Sequence, residues 1–167
     1  MGIDSLKIEG RTKSFYYTAR TAQVYHRAIE DAAAGRPFDM AMMDGLEGLA
    51  NRGYTEGFYR RHPPGEYQNY ERGVSKSDRQ QFVGDVLDLN EGWLTIDVKN
   101  RFETGDQMEL VTPSGNQVFQ LNELIGRDGK PAAAAPGSGH VVKIPLPEAF
   151  EAGRIDEYAL LVHHLPR

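Results

Sequence analysis

The hydrophobic period of this chain switches from helical to strand-like at Phe82, and that switch constrains the fold more than any other feature. Leu94, Ile96 and Val98 alternate with Trp93, Thr95 and Asp97, the period of two that marks a half-buried strand. Similar runs recur at Phe82–Asp88, Met108–Thr112, Val118–Leu121, Val141–Leu146 and Tyr158–His163. Turn-forming clusters separate them: Asn90-Glu91-Gly92, Thr104-Gly105-Asp106, Pro113-Ser114-Gly115-Asn116 and Asp128-Gly129-Lys130. Six short strands in this stretch predict a small closed β-barrel, because closure removes exposed strand edges. Pro131–Gly139, with four consecutive alanines, is expected to be a flexible and disordered loop.

Upstream of the switch the pattern is α/β. Leu6-Lys7-Ile8 reads as a strand, followed by Glu9-Gly10-Arg11 and a helix from about Thr12 to Ala34. No earlier strand stands ready to pair with it, and backbone N–H and C=O groups need partners. The segment is therefore expected to be the last strand–turn–helix unit of a larger α/β domain. Phe15, Ala19, Ala22, Ile29 and Ala33, with His26, form one apolar stripe of the helix; Tyr16, Tyr17, Val24 and Ala28 form a second. Gly35 and Pro37 supply a carboxy-terminal cap and a stop. Asp39 is placed to cap a shorter helix through about Ala50, with Met42, Met43, Leu46 and Leu49 as its packing residues. The expected organisation is an α/β segment over residues 1–61, a linker over 62–81 and a β-barrel over 82–167.

Charge is uneven between these halves. Residues 1–81 carry twelve Lys/Arg against eleven Asp/Glu, whereas residues 82–167 carry seven against thirteen. The acidic second half disfavours broad phosphate-backbone binding there and directs any RNA contact to Arg60, Arg61 and Arg79. The sequence contains no cysteine, which removes disulfides, a thiol nucleophile and thiolate metal ligation from these residues. No run approaches the ~18 apolar residues of a membrane span, and cytoplasmic residence is expected.

Two constellations carry candidate chemistry. Glu9 and Arg11 follow the first strand, where α/β barrels place functional groups. There a guanidinium can clamp a carboxylate or phosphate while a carboxylate orients it or takes a proton, and Lys13 adds a cation near the positive end of the helix. The competing reading is a structural Glu9–Arg11 ion pair. Asn51, Arg52, Tyr54 and Thr55, between flexible glycines, can contact an anionic substrate or stack on a base. Their competing reading is a helix cap followed by aromatic packing. His163 and His164 are adjacent on a strand and point to opposite faces, so they do not chelate one ion, and no metal site is expected. Ser138 lies outside any Gly-x-Ser-x-Gly context, and no His-Glu-x-x-His motif is present.

Several longer segments carry a family resemblance. Ser5-Leu6-Lys7-Ile8-Glu9-Gly10-Arg11-Thr12-Lys13-Ser14 and Glu47-Gly48-Leu49-Ala50-Asn51-Arg52-Gly53-Tyr54-Thr55-Glu56-Gly57-Phe58 resemble the carboxy-terminal half of the collagenase-like peptidases of family U32. Ser77-Asp78-Arg79-Gln80-Gln81-Phe82-Val83-Gly84, Val98-Lys99-Asn100-Arg101-Phe102 and Ala135-Pro136-Gly137-Ser138-Gly139-His140-Val141-Val142 extend the likeness. Within the family the chain is most similar to the branch that makes 5-hydroxyuridine at the tRNA wobble position. The resemblance implies an α+β chain: the end of a TIM-like barrel, then a small β-barrel like those of translation factors. It also implies an iron–sulfur cluster and prephenate in full-length relatives, with the family's cysteine-bearing signature lying upstream of these matching segments. Glu9 and Arg11 would then be catalytic, Lys13, Asn51, Arg52, Tyr54 and Thr55 substrate-binding, and tRNA and the preceding barrel the partners. The function expected is that of a carboxy-terminal portion, not catalytically complete alone. Peptidase activity and a non-catalytic RNA- or protein-binding module are the alternatives.

Overall fold

A computed structural model describes residues 4–11, 13–49, 79–148, 150, 155 and 158–166. The chain divides into two compact units, residues 1–76 and 77–167.

In the first unit, Ser14 begins α1 (Phe15–Ala33) by accepting the Tyr17 N–H on its Oγ at 3.2 Å. At the other end Gly35 takes φ +70°, and the Gly35 and Arg36 N–H groups return to the Ala32 and Asp31 carbonyls. This paired return is a Schellman cap, which favours glycine because a Cβ is strained at that φ. Of the two stripes, the one containing Tyr16 is turned inward: Tyr16, Arg20 and Thr21 are buried, and Tyr17, Val24 and Ala28 half-buried. Of the other stripe, Phe15, Ala22, Ile29 and Ala33 are exposed and Ala19 is half-buried, and His26 on it pairs with Glu30 at 3.0 Å. The reason lies in α2 (Met42–Glu47). A Cβ built on Gly45 would stand 3.3 Å from Val24 Cγ2 and 3.7 Å from Arg20 Cδ, so the glycine lets α2 lie close over that face.

Asp39 does not cap the second helix, whose N-cap is Ala41 without a side-chain bond; it shapes the turn just ahead of it, accepting the Ala41 N–H at 3.0 Å, and pairs with Arg27 at 3.3 Å. The helix is shorter than the period suggests, consistent with the low helix propensity of Gly45 and Gly48. Residues 4–10 form no regular element, and Leu6 and Ile8 are exposed. The strand expected there joins none of the described ladders.

The second unit contains β1 (Gln80–Asn90), β2 (Trp93–Val98), β3 (Phe102–Glu103), β4 (Gln107–Thr112), β5 (Gly115–Gln120), β6 (Ala134–Ala135), β7 (His140–Pro145) and β8 (Leu160–His164). Six of them form one antiparallel sheet in the order β5-β4-β8-β1-β2-β7. Glu91 and Gly92, both at positive φ, make the two-residue turn between β1 and β2, whose backbone hand matches strand twist. Register shifts at Phe82/Gly84 and Val86/Asp88 bend β1, letting it serve β8 on one side and β2 on the other. The last strand thereby sits between β1 and β4, and β5 and β7 end the order. Val83, Leu94, Ile96, Met108, Leu110, Leu161 and Ile144 gather into one apolar core.

Pro131–Gly139 corrects the sequence reading, because it is ordered and partly structural. Ala134–Ala135 pairs with Phe102–Glu103, Ala135 is fully buried in the core, and Pro131 bridges to Ile125. The small Ala135 fits directly opposite Phe102, so a composition that looks loop-like serves close packing.

Candidate functional site

The turn before α1 is built by local hydrogen bonds. Glu9 Oε1 accepts the Arg11 N–H at 3.2 Å, and the Gly10 carbonyl accepts the Lys13 N–H at 2.9 Å. Gly10 lies over the Tyr17 ring, where an added Cβ would sit 3.5 Å from Cε1. The Glu9 carboxylate also faces Lys7 Nζ at 3.8 Å, and Lys13 Nζ stands 5.4 Å from the centre of the Tyr17 ring. Lys7, Glu9, Arg11 and Lys13 thus lie in one exposed stretch ahead of the amino-terminal end of a 19-residue helix, with Arg11 bound to Glu9 through its backbone N–H.

Neither sequence-based account of Glu9 describes it fully. Its carboxylate organises the backbone of the turn and pairs with Lys7, an exposed arrangement whose Coulomb energy is modest in water. Three cations to one carboxylate, with the partial positive charge of the helix end behind them, suit an anionic ligand. The side chains are solvent-exposed, which suits a polyanion presented from outside.

Arg79 lies in the other unit, exposed just before β1, with its carbonyl accepting the Leu165 N–H at 2.9 Å. Asn51, Arg52, Tyr54, Thr55, Arg60 and Arg61 lie outside the described residues.

Three arrangements escaped the sequence reading. Arg20 is buried at 5% exposure, its guanidinium 5.7 Å from the Tyr16 ring. Its spacing of four from Tyr16 and Val24 was the available signal. Glu109 on β4, also 5% exposed, meets His164 Nε2 at 2.8 Å, and Gln80 stands 3.3 Å from the same nitrogen. The neighbouring His163 faces Asp106 at 3.4 Å, so the two imidazoles take separate carboxylates. Lastly, Lys99 joins Asp85 and Asp97 at 3.3 and 2.6 Å. Two of the family-like segments also meet: Val98 pairs with His140 and Phe102 with Ala135, and Gly137 lies close to the Arg101 backbone.

An iron–sulfur cluster does not fit these residues. The sequence has no cysteine, and among the described residues no three His, Asp or Glu side chains gather to hold a metal. Among the described residues no helix is long and apolar enough to cross a membrane.

Comparison with known proteins places these motifs in context. Residues 1–69 match the family model for peptidase family U32, and residues 78–155 match that for the peptidase family U32 C-terminal domain. A protein of Escherichia coli K12 named tRNA hydroxylation protein P is 55% identical over 98% of this chain and 36% of its own length. The protein of that name from Haemophilus influenzae is 53% identical over 99% of the chain and 35% of its own length. The chain therefore spans about a third of these curated relatives. Among solved structures, the C-terminal domain of a Geobacillus thermoleovorans protein described as a U32 peptidase aligns with TM-score 0.44 and 23% identity. That alignment covers 50% of this chain and 92% of the other.

Proposed function

The chain belongs to peptidase family U32, and we propose that it acts as the carboxy-terminal portion of a protein that hydroxylates the tRNA wobble uridine to 5-hydroxyuridine. The observation that carries this reading is identity of 55% and 53%, sustained along nearly all of the chain, to two proteins named for tRNA hydroxylation. On this reading the chain is cytoplasmic and supplies binding and orientation. The redox chemistry, including any iron–sulfur cluster and prephenate, belongs to residues that it does not contain.

The cationic turn of Arg11 and Lys13 receives an anionic group of the substrates, and Glu9 holds the turn in shape or takes a proton. Asn51, Arg52, Tyr54 and Thr55 complete the substrate contacts, and Arg60, Arg61 and Arg79 meet tRNA phosphates. Architecturally, the first unit is the end of a TIM-like barrel. The second is a small barrel of the translation-factor type, with one core enclosed by its sheet and by the β3–β6 pair.

The test is a chimera in which this chain replaces the matching third of the E. coli relative, expressed in a strain lacking that relative. Nucleoside analysis of its tRNA should show 5-hydroxyuridine restored. A folded chimera that leaves 5-hydroxyuridine absent overturns the reading. If the same chimera cleaves gelatin or peptides instead, the activity in the family name becomes the better description.

A further inference from the structure

The cations of the second unit differ in what answers their charge. Lys99 is held by Asp85 and Asp97, and Arg101 by Glu103 at 2.6 Å. Arg127, Lys130 and Lys143 are exposed and, among the described residues, enter no ion pair. The fold gathers these three. Lys143 sits on β7 between the core residues Val142 and Ile144, so its side chain belongs to the outward face. Its backbone exchanges both hydrogen bonds with Ile125, at 2.9 Å each, and Ile125 leads into the turn that carries Arg127 and Lys130. That turn is fixed from within. The Gly126 N–H donates to the Lys130 carbonyl at 2.8 Å and the Gly129 N–H to the Gly126 carbonyl at 3.0 Å. Asp128, the carboxylate of the turn, accepts the Lys130 N–H at 3.2 Å.

On the other side of β7 the same face carries an aromatic ring. Thr95 of β2 stands opposite Lys143, and Trp93 opposite Pro145. Trp93 alternates with Leu94, Ile96 and Val98, which fill the core, so its indole points outward as Lys143 does. The two are diagonal neighbours, about 7–8 Å apart at the backbone. Being half-buried, the indole is both braced and partly open to solvent. A ring flanked by uncommitted cations is the arrangement that takes unpaired nucleotides, a base stacking on the ring while phosphates meet the cations.

We propose that the outward face of β2 and β7, with the 126–130 turn, binds an unpaired stretch of RNA, stacking a base on Trp93 and seating phosphates on Arg127, Lys130 and Lys143. The choice of RNA rests on the tRNA reading above, and the site lies in the half of the chain whose overall acidity argues against a broad contact. A patch of three cations suits a few phosphates of a single strand. A duplex needs a wider basic face and keeps its bases stacked inside, leaving Trp93 no partner. A run of carboxylates would satisfy the cations but offers the indole no flat face to stack on.

Trp93 is the only tryptophan in the sequence, so its fluorescence reports the contact directly. The chain is titrated with a uridine-rich single-stranded RNA, with a duplex RNA of equal length and with poly-glutamate. Affinity is followed in parallel by anisotropy of the end-labelled single strand. The single strand should quench Trp93, and the duplex and poly-glutamate should not. Changing Arg127, Lys130 and Lys143 together to Gln should weaken single-strand binding by roughly tenfold or more. It should also flatten the slope of log affinity against log salt by about 2, at about 0.7 per phosphate. Lys143→Gln alone should remove about a third of that slope, and serves if the triple variant does not fold. Trp93→Leu should weaken binding by about tenfold with the slope kept. Arg101→Gln with Glu103→Gln, which removes a cation already answered, should change neither. Undiminished binding and slope in the folded cation variants, or no quenching by the single strand, overturn the proposal. Quenching by the duplex as strong as by the single strand overturns it too, and equal quenching by poly-glutamate assigns the face to an acidic protein segment instead. Hydroxyuridine measured in the E. coli chimera separates this site from the function: quenching without hydroxyuridine removes the function alone, and hydroxyuridine without quenching removes the site alone.

Discussion

Asp85 and Asp97 stand directly opposite one another on β1 and β2, and the repulsion this implies is answered by Lys99, whose Nζ lies 3.3 and 2.6 Å from their carboxylates. The hydrogen bond that Lys99 donates to Asp97, and then the one to Asp85, hold its ammonium above the ordinary value of 10.5. A raised folded-state value means that the triad stabilises the fold below about pH 10.5 and loses that contribution as the pH rises through the folded value. Lys99→Met should therefore melt below the wild type at pH 7. The gap should narrow with added salt and close in alkali beyond 10.5. Thermal melts across pH and ionic strength test this, and a gap indifferent to both would contradict it.

Beside this pair, Gly84 is required by packing. A Cβ there would meet Ile96 Cγ2 at 2.5 Å and the Asp97 carbonyl oxygen at 2.8 Å. The first clash is with a β-branched core side chain of fixed χ1, and the second is against backbone in the adjacent strand. Gly84→Ala should cost about 1–3 kcal/mol through overpacking, measurable by urea unfolding. Gly84→Ala combined with Ile96→Ala should fail to recover the loss, because the carbonyl contact persists.

Glu109 and His164 make a different kind of demand. In the tautomer with its proton on Nε2, His164 donates to the Glu109 carboxylate at 2.8 Å. Truncating His164 to alanine leaves a carboxylate at 5% exposure without this donor, a loss of about 1–3 kcal/mol. The double variant His164→Ala with Glu109→Leu should regain part of it, because no charge then remains to be solvated. Equilibrium unfolding of the two variants is the measurement. A double variant less stable than His164→Ala would show that other partners of Glu109 dominate.

The contrast between local and distant determinants explains what the sequence made legible. Strands β1, β2, β4, β5, β7 and β8 were readable because alternation and turn chemistry are local, as in Glu91-Gly92 between β1 and β2. The position of β8 between β1 and β4 was not, since a ladder joining Gln80 to His164 depends on register between distant segments. The same holds for Ala134–Ala135, whose order comes from Phe102 and not from its own composition. On α1 the period offered two apolar faces, and only Gly45 on another helix decided which was covered. Of the candidate site, the turn of Glu9, Arg11 and Lys13 was visible because its hydrogen bonds span two or three residues. The Glu109–His164 pair, 55 positions apart, left no local trace.

That turn also supports the most direct functional prediction. Glu9→Gln keeps an acceptor oxygen for the Arg11 N–H but removes the charge, whereas Glu9→Ala removes both. If Glu9 serves only to shape the turn, the glutamine variant should retain near-wild-type hydroxyuridine in the E. coli chimera while the alanine variant loses activity. If Glu9 takes a proton, both variants should fall together, by on the order of 10²-fold or more. Arg11→Lys preserves charge but not the planar fork, so a bidentate anion contact predicts a tenfold or greater loss there, on the order of 1.4 kcal/mol. Lys13→Ala should act chiefly on affinity, raising KM for an anionic substrate with little change in kcat, because an exposed point charge assists binding more than chemistry. Hydroxyuridine kinetics on the four variants discriminate these roles. Wild-type rates in all four would remove the turn from the site altogether.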